Sequence, residues 1–234
     1  MTHRFFVDED VADHVVLGGE QAHQIANVLR LKAGQQITLV WNGVESEVLL
    51  ENVDAARVRG RCVAKHSVDA EPRVRLTLAV PILRGDRTEE VIEAVTQLGV
   101  SRIVPFVSGR SVVRSLPDAK RERWMRVARE AAETARRGRI PTIEVPRDWD
   151  QLFDALDSPT FVAWESEALV KLQDAVPDTT QMSLVIGPEG GLSMEEIALA
   201  REHGAVTVSL GRRNLRSETA AIAAVAQLMA ILER

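Results

Sequence analysis

The sequence predicts an α/β protein with a small β-rich domain at the N-terminus and a larger domain built on a parallel sheet. Three observations predict this division: a hairpin signal within residues 1–70, a strict alternation of strand and helix patterns from residue 74 onward, and a change of pattern near residues 69–72. Alternating strands and helices are typical of a parallel sheet covered by helices. We therefore expect domains at residues 1–70 and 71–234.

The N-terminal domain is predicted from its strand patterns. Residues 36–41 and 44–50 are two strand-like runs separated by Asn42-Gly43. Asn-Gly between two such runs predicts a hairpin, because both central residues of a type I′ turn need positive φ angles. A further strand near 58–63 and one short helix around 20–31 complete the predicted domain.

The C-terminal domain is predicted from five strands and six helices that alternate along the chain. We expect strands near 74–80, 102–107, 160–164, 182–186 and 205–210, and helices near 87–98, 118–136, 149–156, 168–175, 193–203 and 218–233.

Two of these helices have clear starting signals. Ser193 and Glu196 form the pattern of a capping box, in which each side chain satisfies a backbone N–H of the first turn. Ser217 is an N-cap candidate for the last helix. That helix is apolar on nearly every side, so we expect it to be buried in this chain or against another subunit.

Composition and charge exclude several classes of protein. The chain has 234 residues, a formal net charge of −5 and a single cysteine, Cys62, which cannot form an internal disulfide or a multi-cysteine metal site. The N-terminus turns acidic where a signal peptide would need an apolar run, and no stretch of about 18 apolar residues is available to span a bilayer. We expect a cytoplasmic protein without membrane association or bound metal.

The charge is unevenly distributed. Between Arg102 and Arg139 there are 11 basic and 4 acidic residues in an otherwise acidic chain. One interpretation is a solvated helix face. The other is an electrostatic footprint for a polyanion, since the planar fork of arginine suits phosphate.

Two glycine-led segments carry the strongest functional pattern. Common alternatives are missing: there is no Gly-Lys of a P-loop, no His-Glu-x-x-His and no Cys-x-x-Cys. Residues 184–193 and 210–220 each run from a strand into a glycine-led loop and then into a helix start. Both loops would lie at the carboxyl edge of the sheet, where parallel sheets bind ligands. We predict a pocket built largely from backbone, with Arg216, Glu218 and Glu189 as the nearby ionisable groups.

These two segments resemble the signature of the small-subunit (16S) ribosomal RNA uridine-N3 methyltransferases of the SPOUT superfamily. The resemblance extends along nearly the whole chain, through residues 4–7, 23–34, 85–87, 98–100, 111–113, 123–124 and 137–141. It implies a PUA-like, RNA-binding β-barrel at residues 1–70 and a SPOUT methyltransferase domain with a trefoil knot at residues 71–234. It also implies S-adenosylmethionine as cofactor, a homodimer, and 16S ribosomal RNA or the small ribosomal subunit as partner.

The resemblance further implies roles for individual residues. Arg216 is the first candidate for stabilising a developing uridinate, and Arg137 is the second, acting across a dimer interface. Glu189 or Glu218 would accept the proton, orient an arginine or only fix loop geometry. The cofactor would be held by residues of the two loops and a neighbouring strand: Trp164, Ile186, Gly187, Gly190, Leu210, Gly211, Leu215 and Thr219.

Four positions depart from the family pattern. Ala94 and Gln97 stand where a Lys and a Glu are usual, and Thr134 and Arg136 stand where a Gln and a small residue are common. The departures bear on RNA positioning and leave the donor loops intact. Two alternatives therefore stay open: methylation of a ribose 2′-OH or of another base, and a non-catalytic RNA-binding assembly factor.

Overall fold

The hairpin-rich N-terminal sequence forms a curled, half-barrel sheet of five strands in the computed structural model, which describes residues 2–233. The elements are β1 (His3–Phe6), β2 (His14–Gly18), α1 (Gly19–His23), a π-helical turn (Gln24–Val28), β3 (Gln36–Trp41), β4 (Val44–Val53) and β5 (Arg57–Ser67). The strand order is β1-β3-β4-β5-β2, with β1 parallel to β3 and the other pairs antiparallel.

The predicted hairpin is confirmed. β3 and β4 pair antiparallel with Trp41 opposite Val44, and Asn42 and Gly43 have φ angles of 44° and 84°. Buried side chains of the strands, among them Phe5 and Leu39, form one core with Ile25 of the π-helical turn. The pattern did not predict β1 or β2.

A segment from later in the chain also belongs to this first unit. The backbone of Ala132–Arg139 packs with the residues up to Glu71. The sequence pattern had placed this segment in the second domain. The Glu71 carboxylate explains the grouping. Its Oε1 accepts hydrogen bonds from the backbone N–H groups of Gly138 (2.8 Å) and Arg139 (3.1 Å).

The second unit contains the predicted parallel sheet. Its elements are β6 (Arg75–Pro81), α2 (Arg87–Gln97), β7 (Arg102–Val107), α3 (Asp118–Thr134), β8 (Thr142–Ile143), β9 (Arg147–Asp148), α4 (Trp149–Leu152) with a 3₁₀ turn (Phe153–Ala155), β10 (Thr160–Ala163), α5 (Leu172–Ala175), β11 (Gln181–Ile186), α6 (Met194–Glu202), β12 (Val206–Val208) and α7 (Ser217–Leu232). The order is β12-β10-β11-β6-β7-β8, with β9 also pairing with β7, and every pair is parallel.

Both faces of this sheet are covered. Leu76, Leu78 and Val80 of β6 pack on one face with α2, α3 and α7, whereas Ala79 packs on the other with α4 and α6. Strands buried on both faces are expected to be mainly apolar, as residues 78–81 of β6 and 184–186 of β11 are. The central strands β6 and β11 thus carry their loops to a rigid carboxyl edge.

The last helix is largely buried, as its composition predicts. Ala221, Ala224, Val225 and Leu228 are enclosed within the second unit. Within residues 2–233, no helix combines the length and apolar character needed to cross a bilayer. The trefoil knot stays a prediction.

Candidate active site

The first glycine-led loop follows β11, which lies between β10 and β6 in the sheet. The predicted capping box is confirmed: Glu196 N donates to Ser193 Oγ (3.2 Å), and Ser193 N donates to Glu196 Oε2 (2.7 Å). Gly191 has a φ of 73°, and a Cβ at this position would collide with the Glu165 carboxylate. Only glycine therefore fits this turn without strain or displacement.

The second glycine-led loop follows β12 and leads into α7. The N-cap is Arg216, with no side-chain capping bond, so the prediction that Ser217 caps this helix is wrong by one residue. Ser217 is buried as the first residue of α7, and its Oγ donates a 2.8 Å hydrogen bond to the Gly187 carbonyl of the first loop. A hydroxyl that bonds to the neighbouring loop is not available to cap its own helix.

The two loops enclose a cavity of about 850 Å³ at the carboxyl edge of the sheet. Seven of the eight predicted cofactor-binding residues line it: Trp164, Ile186, Gly187, Gly190, Leu210, Gly211 and Leu215. The eighth, Thr219, is exposed on α7 and is not in the lining. Among the predicted catalytic residues, Arg216 and Glu189 line the cavity.

Arg87 is a site residue that the sequence pattern missed. As the first residue of α2 it lines the cavity, with NH1 3.7 Å from Glu189 Oε1 and Nε 3.9 Å from Glu218 Oε1. The guanidinium thus pairs with one carboxylate from each glycine-led loop. Its position directly after β6 and Gly85 was the available signal, because that places it at the same carboxyl edge as the loops.

Glu218 lies beside the cavity with an unsatisfied oxygen. Its side chain is 15% exposed, and Oε2 is buried without a hydrogen-bond partner among the described residues. A buried carboxylate oxygen without a partner is costly. The arrangement therefore favours a ligand that brings a hydrogen-bond donor or a positive charge.

A third wall comes from the loop after β10. Trp164 and Glu165 line the cavity, and Glu167 holds this loop through Thr207 Oγ1 (2.7 Å) and the N–H groups of Leu169 (2.9 Å) and Val170 (3.2 Å). The Thr207 hydrogen bond, followed by the backbone hydrogen bonds, lowers the pKa of Glu167. Because this carboxylate binds the backbone at 169 and 170, the helix predicted from residue 168 begins only at Leu172.

Arg137 is not among these residues. It belongs to the first unit, where its side chain is 2% exposed and NH2 donates to Glu71 Oε2 (2.9 Å). Arg4 NH2 donates to the Arg137 carbonyl at 2.9 Å. Within this chain, these contacts give Arg137 a structural role.

The fold and the site together define an RNA methyltransferase domain, whose family model matches residues 70–229. The chain is 32% identical over 224 residues to the ribosomal RNA small subunit methyltransferase E of Bacillus subtilis, covering 90% of this chain and 87% of that protein. The Synechocystis protein of the same name is 32% identical over 94% of this chain and 74% of its own length. The chain belongs to the ribosomal RNA small subunit methyltransferase E family.

Solved structures agree with this assignment. The small subunit methyltransferase E of Neisseria gonorrhoeae, bound to S-adenosyl methionine, superposes with a TM-score of 0.91 at 29% identity and covers 99% of this chain and 98% of its own. A Legionella pneumophila structure in complex with the same cofactor has a TM-score of 0.89 at 31% identity, with 98% of each chain covered.

Proposed function

We propose that this protein methylates N3 of a uridine in small-subunit ribosomal RNA with S-adenosylmethionine as the donor. The observation that carries the proposal is the cavity between the two glycine-led loops, which Ser217 joins and which Arg216 and Glu189 line. Support also comes from the two similar structures that hold this cofactor.

The residues of the cavity fit the donor. About 850 Å³ lies within the range of small-molecule sites, roughly 300–1,000 Å³. Ile186, Leu210 and Leu215 offer apolar contacts for a nucleoside, and the glycines allow close approach of backbone. Glu189 in the lining and the unsatisfied Glu218 oxygen suit a cationic ligand. When bound, the donor would supply a methyl group that its sulfonium makes electrophilic, and breaking of the S–CH₃ bond would leave the donor as a neutral thioether.

The ionisable groups fit uridine as the acceptor. N3 must lose its proton before it can form the N–CH₃ bond, and the resulting negative charge spreads over the two uracil carbonyl oxygens. The backbone of Arg216 is held at the start of α7, where its carbonyl accepts a 2.7 Å hydrogen bond from Ala220 N, and the residue lines the cavity. A positioned cation that meets developing charge is an effective catalytic device. Glu189 or Glu218 would receive the proton, and Arg87 would hold them at the cavity.

The proposal includes the partners and the location. The substrate is 16S ribosomal RNA or the small subunit, the PUA-like first unit contributes to RNA binding, and the active form is a homodimer with the trefoil knot of the SPOUT fold. A cytoplasmic location is consistent with a ribosomal substrate.

The test is nucleoside analysis after incubation of the protein with small-subunit RNA and labelled S-adenosylmethionine. Mass spectrometry separates N3-methyluridine from 2′-O-methyl nucleosides by fragmentation. N3-methyluridine as the labelled product supports the proposal, whereas a ribose-methylated product contradicts it. Donor binding without transfer to RNA or subunits would favour a non-catalytic assembly factor.

A further inference from the structure

The arginine-rich stretch is not a uniform cationic surface. Arg102 pairs with Glu144 (3.0 Å) and Asp157 (2.9 Å), and Arg123 pairs with Glu89 (2.8 Å). Other cations of the stretch donate to protein carbonyl oxygens: Lys120 to Gly85 (2.8 Å) and Arg121 to Ile143 (2.9 Å). Ion pairs thus take up part of the local positive charge, and the exposed cations without an ion pair are the ones that can serve a polyanion.

Two arginines of this stretch differ because they lie exposed on the loop between β7 and α3. Arg110 NH1 donates to the Gly190 carbonyl (3.2 Å), and Arg114 NH2 donates to the Gly109 carbonyl (2.8 Å). Neither forms an ion pair within 4 Å among residues 2–233. Both side chains are exposed, and a guanidinium has five N–H donors, so each has donors left for a ligand.

The loop that carries these arginines is rigid. Ser108 N donates to Ser111 Oγ (2.9 Å), and Ser111 N donates to the Ser108 carbonyl (3.1 Å), with both serines buried. A loop closed by its own buried hydrogen bonds holds its exposed side chains at low entropic cost. Arg110 is therefore displayed from a fixed turn, and Arg114 is joined to that turn through its hydrogen bond to the Gly109 carbonyl.

The same loop is joined to the first glycine-led loop. Gly109 N donates to Glu196 Oε1 (2.7 Å), the carboxylate whose other oxygen completes the capping box of α6. Gly190 packs so closely that a Cβ there would lie 3.0 Å from Arg110 Cβ. Arg110 thus contacts Gly190 at the mouth of the cavity, and Arg114, which bonds to Gly109 of the same loop, lies outside the lining.

The second glycine-led loop adds two further arginines to this mouth. Arg212 and Arg213 line the cavity and are exposed, and neither has an ion pair within the described part of the chain. We call Arg110, Arg114, Arg212 and Arg213 the rim arginines. Carboxylates also line the cavity, at Glu165 and Glu189, and Glu195 lies near Arg110 beyond ion-pair distance.

We infer that the rim arginines bind backbone phosphates of the RNA strand on either side of the target nucleotide. The inference rests on the proposed function. A strand that places one base in the cavity must place the adjoining phosphates at its mouth, and guanidinium groups with free donors bind phosphate well. The chain is 4% aromatic, so it offers little surface for stacking of bases. The phosphate-binding surface is therefore the cavity mouth and not the exposed face of α3.

The test compares RNA affinity across salt concentration for the wild-type protein and three variants. Two remove rim charges in pairs, Arg110→Ala with Arg114→Ala and Arg212→Ala with Arg213→Ala. The third, Arg126→Ala, removes an arginine of the same stretch that is exposed on α3, away from the glycine-led loops, and serves as the matched control. The probe is a small-subunit ribosomal RNA transcript followed by fluorescence anisotropy.

Each rim pair should weaken binding roughly tenfold near physiological salt and reduce the slope of log affinity against log salt by about 1.4, or about 0.7 for each lost single-strand contact. Arg126→Ala should change the affinity less than twofold and leave the slope unchanged. An equal loss in Arg126→Ala, or an unchanged slope in both rim variants, would overturn the inference.

Two further measurements distinguish phosphate binding by the rim arginines from a structural role of their loop and from a general attraction of anions. Calorimetry with S-adenosylmethionine should give wild-type affinity in the Arg110/Arg114 variant, whereas parallel losses of donor and RNA affinity would show that the loop is only structural. Polyglutamate at equal charge should compete far less well than RNA, and equal competition would contradict phosphate recognition. RNA affinity is measured without turnover. A failure to form N3-methyluridine would therefore refute the proposed reaction but would not affect the measured role of the rim arginines in RNA binding.

Discussion

The hydroxyl of Ser217 donates a 2.8 Å hydrogen bond to the Gly187 carbonyl and so joins the two loops that form the cavity. Both residues follow strands of the same parallel sheet, and Ser217 is 5% exposed. The bond is therefore partly shielded from water, and a hydrogen bond is electrostatically stronger away from water. Closure of the cavity depends on this contact between two separate parts of the sequence.

Replacement of this serine should loosen the cavity. In Ser217→Ala the Gly187 carbonyl loses its donor, which costs about 1 kcal/mol or more. We expect roughly fivefold weaker S-adenosylmethionine binding by calorimetry and a melting temperature roughly 2–4 °C lower. Ser166→Ala, at an exposed serine near the same cavity, is the control and should change neither value. Unchanged donor affinity in Ser217→Ala would show that the loops hold together without the bond.

Loss of the Arg87 charge should impair methylation. Arg87→Met leaves Glu189 in the lining and Glu218 beside it without the cation that pairs with both. We expect a roughly tenfold lower kcat, equivalent to about 1.4 kcal/mol, because the two carboxylates then repel each other. Arg87→Lys keeps the charge and should recover most of the activity. Equal losses in both variants would indicate that the shape of the guanidinium matters and its charge does not.

Low pH should reduce the stability of the loop after β10, which Glu167 holds in place. The hydrogen bond from Thr207, with those from Leu169 and Val170, lowers the pKa of Glu167 below its ordinary value of 4.5. The folded state thus binds this proton less tightly than the unfolded state, so the stabilisation is full above about pH 4.5 and is lost as the pH falls through the folded pKa.

The measurement is melting temperature against pH between roughly 3 and 7. Glu167→Gln should lower stability at neutral pH and flatten the decline in acid. Glu202→Gln, at an exposed position of α6, should follow the wild-type curve. A Glu167→Gln curve that runs parallel to the wild type would show that this carboxylate contributes nothing to the acid response.

Arg216 should matter for transfer and not for donor binding. Arg216→Ala leaves the backbone of the second loop in place, since its φ and ψ of −67° and 153° suit any residue. We expect near wild-type donor affinity and a loss of methyl transfer of roughly 100-fold or more, because a preorganised cation is removed from the developing charge. Single-turnover transfer at the wild-type rate would remove Arg216 from the mechanism.

The sequence predicted those parts of the site that depend on local pattern. Ile186, Gly187 and Gly190 follow an apolar strand, and Leu210 and Gly211 repeat the arrangement, so their meeting at one sheet edge follows from parallel topology. The capping box at Ser193 is likewise a local signal.

Features that depend on tertiary contacts could not be predicted in this way. Arg87 pairs with two glutamates that lie far along the chain, and no spacing rule connects them. Ser217 was expected to cap α7 because local pattern contains no information about the neighbouring Gly187 carbonyl. Residues 132–139 pack in the first unit, where the Glu71 carboxylate binds three residues of that segment. Local pattern does not reveal this tertiary contact.

The buried pair between Arg137 and Glu71 should be tested as a determinant of stability. Arg137→Ala leaves Glu71 without its cation in a part of the first unit where the arginine is only 2% exposed. Removing one partner of such a pair costs about 3 kcal/mol, which urea unfolding monitored by circular dichroism would measure. Arg139→Ala is the matched control, because the exposed side chain is lost while its backbone N–H still bonds Glu71.

A structural role and a catalytic role of Arg137 predict opposite results for methylation by Arg137→Ala. If it stabilises the fold, methylation by Arg137→Ala should follow the fraction of folded protein and should recover at lower temperature or with an osmolyte, which strengthens burial. If it acts on the substrate, as the family resemblance implies, the variant should keep wild-type stability and lose transfer under every condition. The 2.9 Å pairing with Glu71 and the Arg4 contact to the Arg137 carbonyl lead us to expect the first result.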